Sequence, residues 1–197
     1  MSKWLKASFT FGATPLAIGT IIFLAWLATR FKSLALAGIF AMYGGAVFVG
    51  AGLLCLAVYA VGSVHSGAVT RRRLVAQSAC ALGVLLLNFP AAAAFTYAAI
   101  LIETRYVVTV SNTGATAVET FGVEGGGVAI ELGPLAPGQT RSRGFYIRRD
   151  GELRYQTVVG GRQITGNLED YVTNGQGGDV RVIVAPDGTV TTNRTGT

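Results

Sequence analysis

Residues 71–111 read RRRLVAQSACALGVLLLNFPAAAAFTYAAILIETRYVVTVS, and three signals follow one another along them. A triplet of arginines comes first. An uncharged run of 29 residues, 74–102, follows, longer than the ~20 helical residues that cross a ~30 Å hydrocarbon core. At Glu103 the first carboxylate of the chain appears, and from Arg105 onward apolar and polar residues alternate with the period of a strand. The stretch therefore predicts a membrane span that starts on a cationic anchor and runs directly into a β domain.

Working outward, two further uncharged apolar runs precede it, 11–29 and 34–64, of 19 and 31 residues. The expected fold class is thus an α+β membrane protein: three transmembrane helices in residues 1–102, then a C-terminal all-β domain in 103–197. The second and third runs exceed the minimum, which predicts tilt or protruding ends, with Trp4, Trp26, Tyr97 and Tyr106 as interfacial anchors. The first run is expected to be a retained helix and not a cleaved leader. Its end, LAWLAT at 24–29, lacks the pair of small residues spaced by one that signal peptidase requires.

Charge assigns the orientation. Residues 1–102 carry seven Lys or Arg and no carboxylate, net +7, while 103–197 carry nine Arg and ten acids, net −1. The basic balance comes from residues flanking apolar segments, so no nucleic-acid partner is expected. Placing Arg71, Arg72 and Arg73 with Lys3 and Lys6 in the cytoplasm leaves Arg30 and Lys32 on the other side, a bias of five against two. The N-terminus is then cytoplasmic and the β domain periplasmic. The use of thirteen Arg against three Lys reads as bacterial, hence an inner (cytoplasmic) membrane.

Inside the spans, Asn88 stands at the midpoint of the third, two residues before Pro90, which frees the Leu86 carbonyl. The expectation is a kink stabilised by Asn88, whose amide can bond across to another helix or satisfy the freed acceptor, with a lipid or ligand site as the alternative. Small residues at Ala37, Ala41, Gly45, Ala46 and Gly50 in the second span, and at Ala79, Gly83, Ala94 and Ala98 in the third, are ridges where helices approach closely. Cys55 and Cys80 fall at similar depth and are read as apolar fillers rather than a disulfide. His65, the only histidine, is read as a solvated interfacial residue.

Beyond Ile102, strands are expected at 105–111, 116–123, 127–132, 139–149, 152–159, 162–168, 180–185 and 189–193, separated by Gly, Pro, Asn and Asp. That number of short strands in 95 residues predicts an immunoglobulin-like sandwich. A hairpin with the loop 149–151 pairs Ile147 with Leu153, Phe145 with Tyr155 and Arg148 with Glu152. The buried face continues from Thr157 to Ile164 across a Gly160-Gly161 turn, and 185–188 form a second turn. From Thr191 a polar, partly disordered tail is expected.

The chemistry is sparse. The β domain has no His, Cys or Lys and only two serines, Ser111 and Ser142, which removes serine nucleophiles with a base and histidine or cysteine zinc sites. Ten acids leave a glycosidase pair formally open but without a spacing signal. Glu169, Asp170, Asn174 and Asp179 cluster among glycines yet match no calcium loop, and are read as turn formers. No metal and no cofactor are expected. Asn193-Arg194-Thr195 is a glycosylation triplet that a bacterial chain does not use.

One surface stands out: six arginines against Asp150 and Glu152 between 141 and 162. In the hairpin register, Tyr146, Arg148 and Arg154 emerge on one face, suited to anionic headgroups or an acidic partner. The function expected is a non-catalytic, membrane-anchored interaction module, an accessory or assembly subunit of an envelope complex or an immunity-type binder. Its partners are membrane lipid and another membrane or extracytoplasmic protein. The alternative is a ligand- or lipid-binding sensor or transport accessory.

Overall fold

The computed structural model describes residues 2–67 and 69–194. Three helices come first: α1 Lys3–Thr29, α2 Lys32–Ser66 and α3 Arg71–Glu103. Each is long and apolar enough to cross a membrane. Their ends follow from local chemistry. Ser2 caps α1 by accepting the Leu5 N–H at 3.2 Å. Arg30 stops the helix in a left-handed conformation (φ 56°), its N–H bonded to the Trp26 carbonyl at 2.7 Å and its guanidinium 4.8 Å over the Trp26 ring. Gly67, also left-handed, closes α2.

Eight strands follow: β1 Arg105–Asn112, β2 Val118–Gly125, β3 Val128–Glu131, β4 Thr140–Tyr146, β5 Gly151–Val159, β6 Arg162–Val172, β7 Gly178–Val184 and β8 Val190–Arg194. They form two four-stranded sheets, ordered β4-β1-β7-β8 and β3-β2-β5-β6. All neighbours are antiparallel except β1 and β7. Alternation decides the buried faces. Tyr106, Val108 and Val110 of β1 and Val180, Val182 and Val184 of β7 meet Phe121, Val123, Leu153 and Tyr155 of the other sheet in one core. Each such fully buried Val, Leu or Phe contributes ~1.5–3 kcal/mol by leaving water.

Two glycine pairs make the tight turns. Gly126-Gly127 (φ 55° and 75°) joins β2 to β3, and Gly160-Gly161 (φ 56° and 73°) joins β5 to β6. Two successive positive φ angles are the condition of a type I′ turn, the one whose twist matches the strands. The second of these lies where the sequence placed it, with Thr157 opposite Ile164.

The 145–155 hairpin is a correction. β4 pairs only with β1, placing Phe145 opposite Tyr106, whereas β5 lies in the other sheet between β2 and β6. The expected face is right and the partner strands are wrong: Phe145, Ile147, Leu153 and Tyr155 are all buried, but Phe145 reaches the core from one sheet, Leu153 and Tyr155 from the other, and Ile147 from the connection between them. The connection 147–150 crosses over instead of turning back. It is held there by the N–H groups of Arg148 and Arg149, both bonded to the Gly126 carbonyl at 2.8 and 3.0 Å. An apolar/polar pattern specifies which face is inside, not which strand lies alongside, so the same buried face is compatible with either partner strand.

At the C-terminus, β8 covers residues 191–194 of the polar segment where a disordered tail was expected. Residues 195–197, with the end of the Asn193-Arg194-Thr195 triplet, lie outside the described residues. The chain divides into two compact units, Met1–Ala98 and Ala99–Thr197, so the last turn of α3 belongs with the strands.

Candidate functional site

In the helical unit the central polar group is Asn88. Its amide nitrogen donates to the Gly12 carbonyl of α1 at 2.9 Å and lies 3.3 and 3.1 Å from the Val84 and Leu85 carbonyls of its own helix. Pro90 sits inside α3 as expected, but the acceptors are not the Leu86 carbonyl it frees. Asn88 bonds across to a second helix, one of the two roles expected of it, and does not meet the Leu86 carbonyl.

The ridge residues divide. Gly45 approaches Pro15 of α1, where an added Cβ would meet the proline at 3.4 Å, and Ala41 lines a small cavity of about 90 Å³ beside it with Thr14, Ile18 and Phe48. Gly50 faces open space. The tight approaches are at Gly12, whose Cβ would meet Val84 at 3.0 Å, and Gly52, where Leu85 and Phe11 fill the space a Cβ would need. Sequence reasoning passed over both. Their signal was present in retrospect, since Gly52 lies one turn from the buried Val49 and Leu56.

Arg71, Arg72 and Arg73 are exposed in the first turn of α3. Cations there oppose the helix dipole, so they are not placed for helix stability. Cys55 and Cys80 are free thiols.

In the β-rich unit, the structure does not bring Tyr146, Arg148 and Arg154 onto one face. Tyr146 ends β4 opposite Arg105 of β1. Arg154 lies on the second sheet, where it pairs with Glu152 two residues earlier on its own strand and stands opposite Glu124. Glu152 was expected to pair with Arg148. Arg148 is exposed in the crossover between them. An exposed pair of the Arg154–Glu152 kind stabilises by ~0–1 kcal/mol and leaves little free charge for a partner.

The acidic loop residues are dispersed. Glu169 accepts the Tyr106 hydroxyl at 3.0 Å and lies 3.4 Å from Arg194. Asp170 takes the Asn167 amide at 3.2 Å, and Asn174 gives its backbone N–H to Asp150 at 2.7 Å. No three metal-ligating side chains come together among the described residues. Tyr106 is wholly buried. Burial, and then the adjacent Glu169 carboxylate, push its hydroxyl far above the ordinary tyrosine range. Both serines are in cross-strand pairs, Ser142 with Thr109 at 2.9 Å and Ser111 with Thr140 at 3.0 Å.

The feature that sequence reasoning missed is a groove of about 380 Å³ at the end of the sheets remote from Arg105. Val159, Ile164 and Val184 form its apolar floor, and Thr116, Arg162 and Gln163 stand on its rim. Two sequence-distant turns, 160–161 and 185–188, make its walls. Asn112 at the base is fully engaged, donating to the Thr116 and Leu135 carbonyls and accepting the Gly114 N–H. Asp187 is engaged as well. It accepts both the hydroxyl and the N–H of Thr189 at 2.6 and 2.9 Å, which holds its carboxyl below the usual range. Arg162 is exposed with no carboxylate within 4.0 Å among the described residues, so it is the free charge of the groove.

No family model matches this chain, and no curated protein does. Among solved structures, a protein from Eubacterium rectale, determined by NMR, is similar over 48% of this chain and 92% of its own, at 11% identity and a TM-score of 0.36.

Proposed function

We propose that the chain is a non-catalytic interaction module of a bacterial inner membrane, an accessory or assembly subunit of an envelope complex or an immunity-type binder. In this reading residues 1–102 cross the bilayer three times from a cytoplasmic N-terminus. The two sheets form an immunoglobulin-like sandwich in the periplasm and hold a second protein there. The observation that carries it is the groove: an apolar floor, a polar rim and one uncommitted guanidinium, at the end of the domain away from the chain's entry from α3. That combination suits a protein segment bearing a carboxylate. The rival sensor reading drew on the Asn88 kink or the acidic loop; the Asn88 amide is already taken up by helix carbonyls, and Glu169, Asp170 and Asn174 have separate partners.

A photo-crosslinking side chain at Gln163, introduced in living cells, is expected to capture a polypeptide, and Arg162→Glu is expected to abolish the capture at unchanged protein level. Capture that is indifferent to Arg162, or a gently extracted protein carrying only a lipid or ion by native mass spectrometry, would overturn the reading.

A further inference from the structure

At the end of the sheets where the chain arrives from α3, the surface has a different character. Only Thr104 separates α3 from β1. The Thr104 N–H continues the helix to the Ile100 carbonyl at 2.9 Å, and the Glu103 carbonyl is packed on Gly177, where any Cβ would overlap it. No flexible spacer lies between the helix end and this face of the domain.

Among the described residues from 105 to 194, the large apolar side chains left exposed are two tyrosines, Tyr146 at 44% and Tyr171 at 62%. Both lie at this end. Tyr146 pairs with Arg105, the first residue of β1, and Tyr171 precedes Val172, which pairs with Gly151, the first residue of β5. They stand on edge strands of different sheets, β4 and β6. Between those sheets runs the crossover with Arg148 and Arg149, both exposed and without a carboxylate within 4.0 Å among the described residues. The neighbouring Asp150 is occupied, accepting the Asn174 N–H at 2.7 Å and lying 3.4 Å from the Tyr171 hydroxyl. Other acids stand at this end as well: Glu103, Asp170 and Asp179 are exposed, Glu152 is paired with Arg154, and half-buried Glu169 accepts the Tyr106 hydroxyl.

We propose that this end of the β domain rests on the phospholipid headgroups of the bilayer that α3 enters. Tyr146 and Tyr171 enter the headgroup layer, and Arg148 and Arg149 hold lipid phosphates. The inference depends on the membrane-spanning reading above. Amphipathic rings with apolar bodies and polar tips are the side chains that favour the interfacial layer, and forked guanidinium groups match a phosphate oxygen pair. One residue of linker spans at most about 3.5 Å, which keeps this surface at the membrane once the helix is inserted. Seating the domain in this way leaves the groove at the opposite end open to a periplasmic partner.

The test uses the full chain, with Cys55 and Cys80 changed to Ala, in vesicles of phosphatidylglycerol and phosphatidylcholine. Single cysteines at Asn174, in the loop beside Tyr171, at Ala136 on the opposite end, and at Leu54 within α2 are labelled with a polarity-sensitive fluorophore. The Asn174 label should emit at shorter wavelength than the Ala136 label and be several-fold less accessible to an aqueous quencher. Tyr146→Ser with Tyr171→Ser, or Arg148→Ser with Arg149→Ser, should return it to the Ala136 values while strand content by circular dichroism is retained. Equal emission at Asn174 and Ala136, with Leu54 in lipid, overturns the proposal alone. A water-exposed Leu54 label overturns it together with the membrane-spanning reading.

Discussion

The side-chain amide of Asn88 in α3 donates to the backbone carbonyl of Gly12 in α1, 76 residues earlier, at 2.9 Å. The contact exists because Gly12 has no side chain: a Cβ there would press on Val84 and Leu85. Asn88→Leu is therefore expected to loosen α1 from α3 by about 1 kcal/mol or less, since interhelical hydrogen bonds in membranes are weak. Gly12→Val, which drives the helices apart, should cost more, about 1–3 kcal/mol. Unfolding of the detergent-solubilised chain measures both, and a larger loss for Asn88→Leu than for Gly12→Val would reverse the assignment.

The Tyr106–Glu169 contact predicts alkaline sensitivity of the β domain. The folded-state pKa of Tyr106 is raised, so the unfolded chain ionises first, near pH 10, while the folded domain keeps its proton. The stabilisation is complete below that pH and is lost as pH rises toward the folded value, at up to about 1.4 kcal/mol per pH unit. Tyr155, raised by burial, acts in the same direction. Tyr106→Phe should flatten the fall in stability above about pH 10 and cost about 1 kcal/mol at neutral pH through the lost hydrogen bond. Chemical denaturation at a series of pH values checks both, and an unchanged slope in Tyr106→Phe would remove Tyr106 from the effect.

Much of this architecture was legible because the signals are local. An uncharged run of 29 residues admits few readings other than a long apolar helix, and alternation from Arg105 fixed which side of β1 is buried. The Gly160-Gly161 turn was legible for the same reason, two positive φ angles in adjacent residues. What escaped was non-local. Nothing in the sequence of β4 says that its partner is β1 and not β5, because Phe145 suits a core position beside Tyr106 as well as beside Tyr155. The groove escaped because the turns that wall it, 160–161 and 185–188, are brought together only by the stacking of two sheets. Tyr171 drew no notice because exposure, not residue type, distinguishes it from the buried Tyr106.

Orientation can be tested on charge alone. A reporter fused after Thr197 is expected to be active outside the cytoplasm, and one inserted near Ser66 only inside. Changing Arg71, Arg72 and Arg73 to Ser leaves Lys3 and Lys6 against Arg30 and Lys32, an even count, and should give a mixed population of orientations. Unaltered orientation in that variant would mean that the triplet does not determine topology.

Gly166 tests the packing of the second sheet. It lies opposite Tyr155 in the β5–β6 register, and a Cβ built on it would fall within 2.7 Å of the tyrosine ring, which covers the glycine. That ring is held from the other side, stacked on Phe121 with centroids 5.9 Å apart and planes at 7°. It has nowhere to retreat without disturbing Phe121, which is fully buried. Gly166→Ala is therefore expected to destabilise the domain by about 1–3 kcal/mol, the usual range for forcing an extra methyl into a packed core, even though alanine is otherwise the better strand residue. Tyr155→Leu should lose stability on its own but remove most of the penalty of Gly166→Ala, because the smaller side chain vacates the space above the glycine. A double-mutant cycle on thermal unfolding reads the coupling directly. Additive losses would show that Gly166 is required for backbone reasons and not to admit the ring.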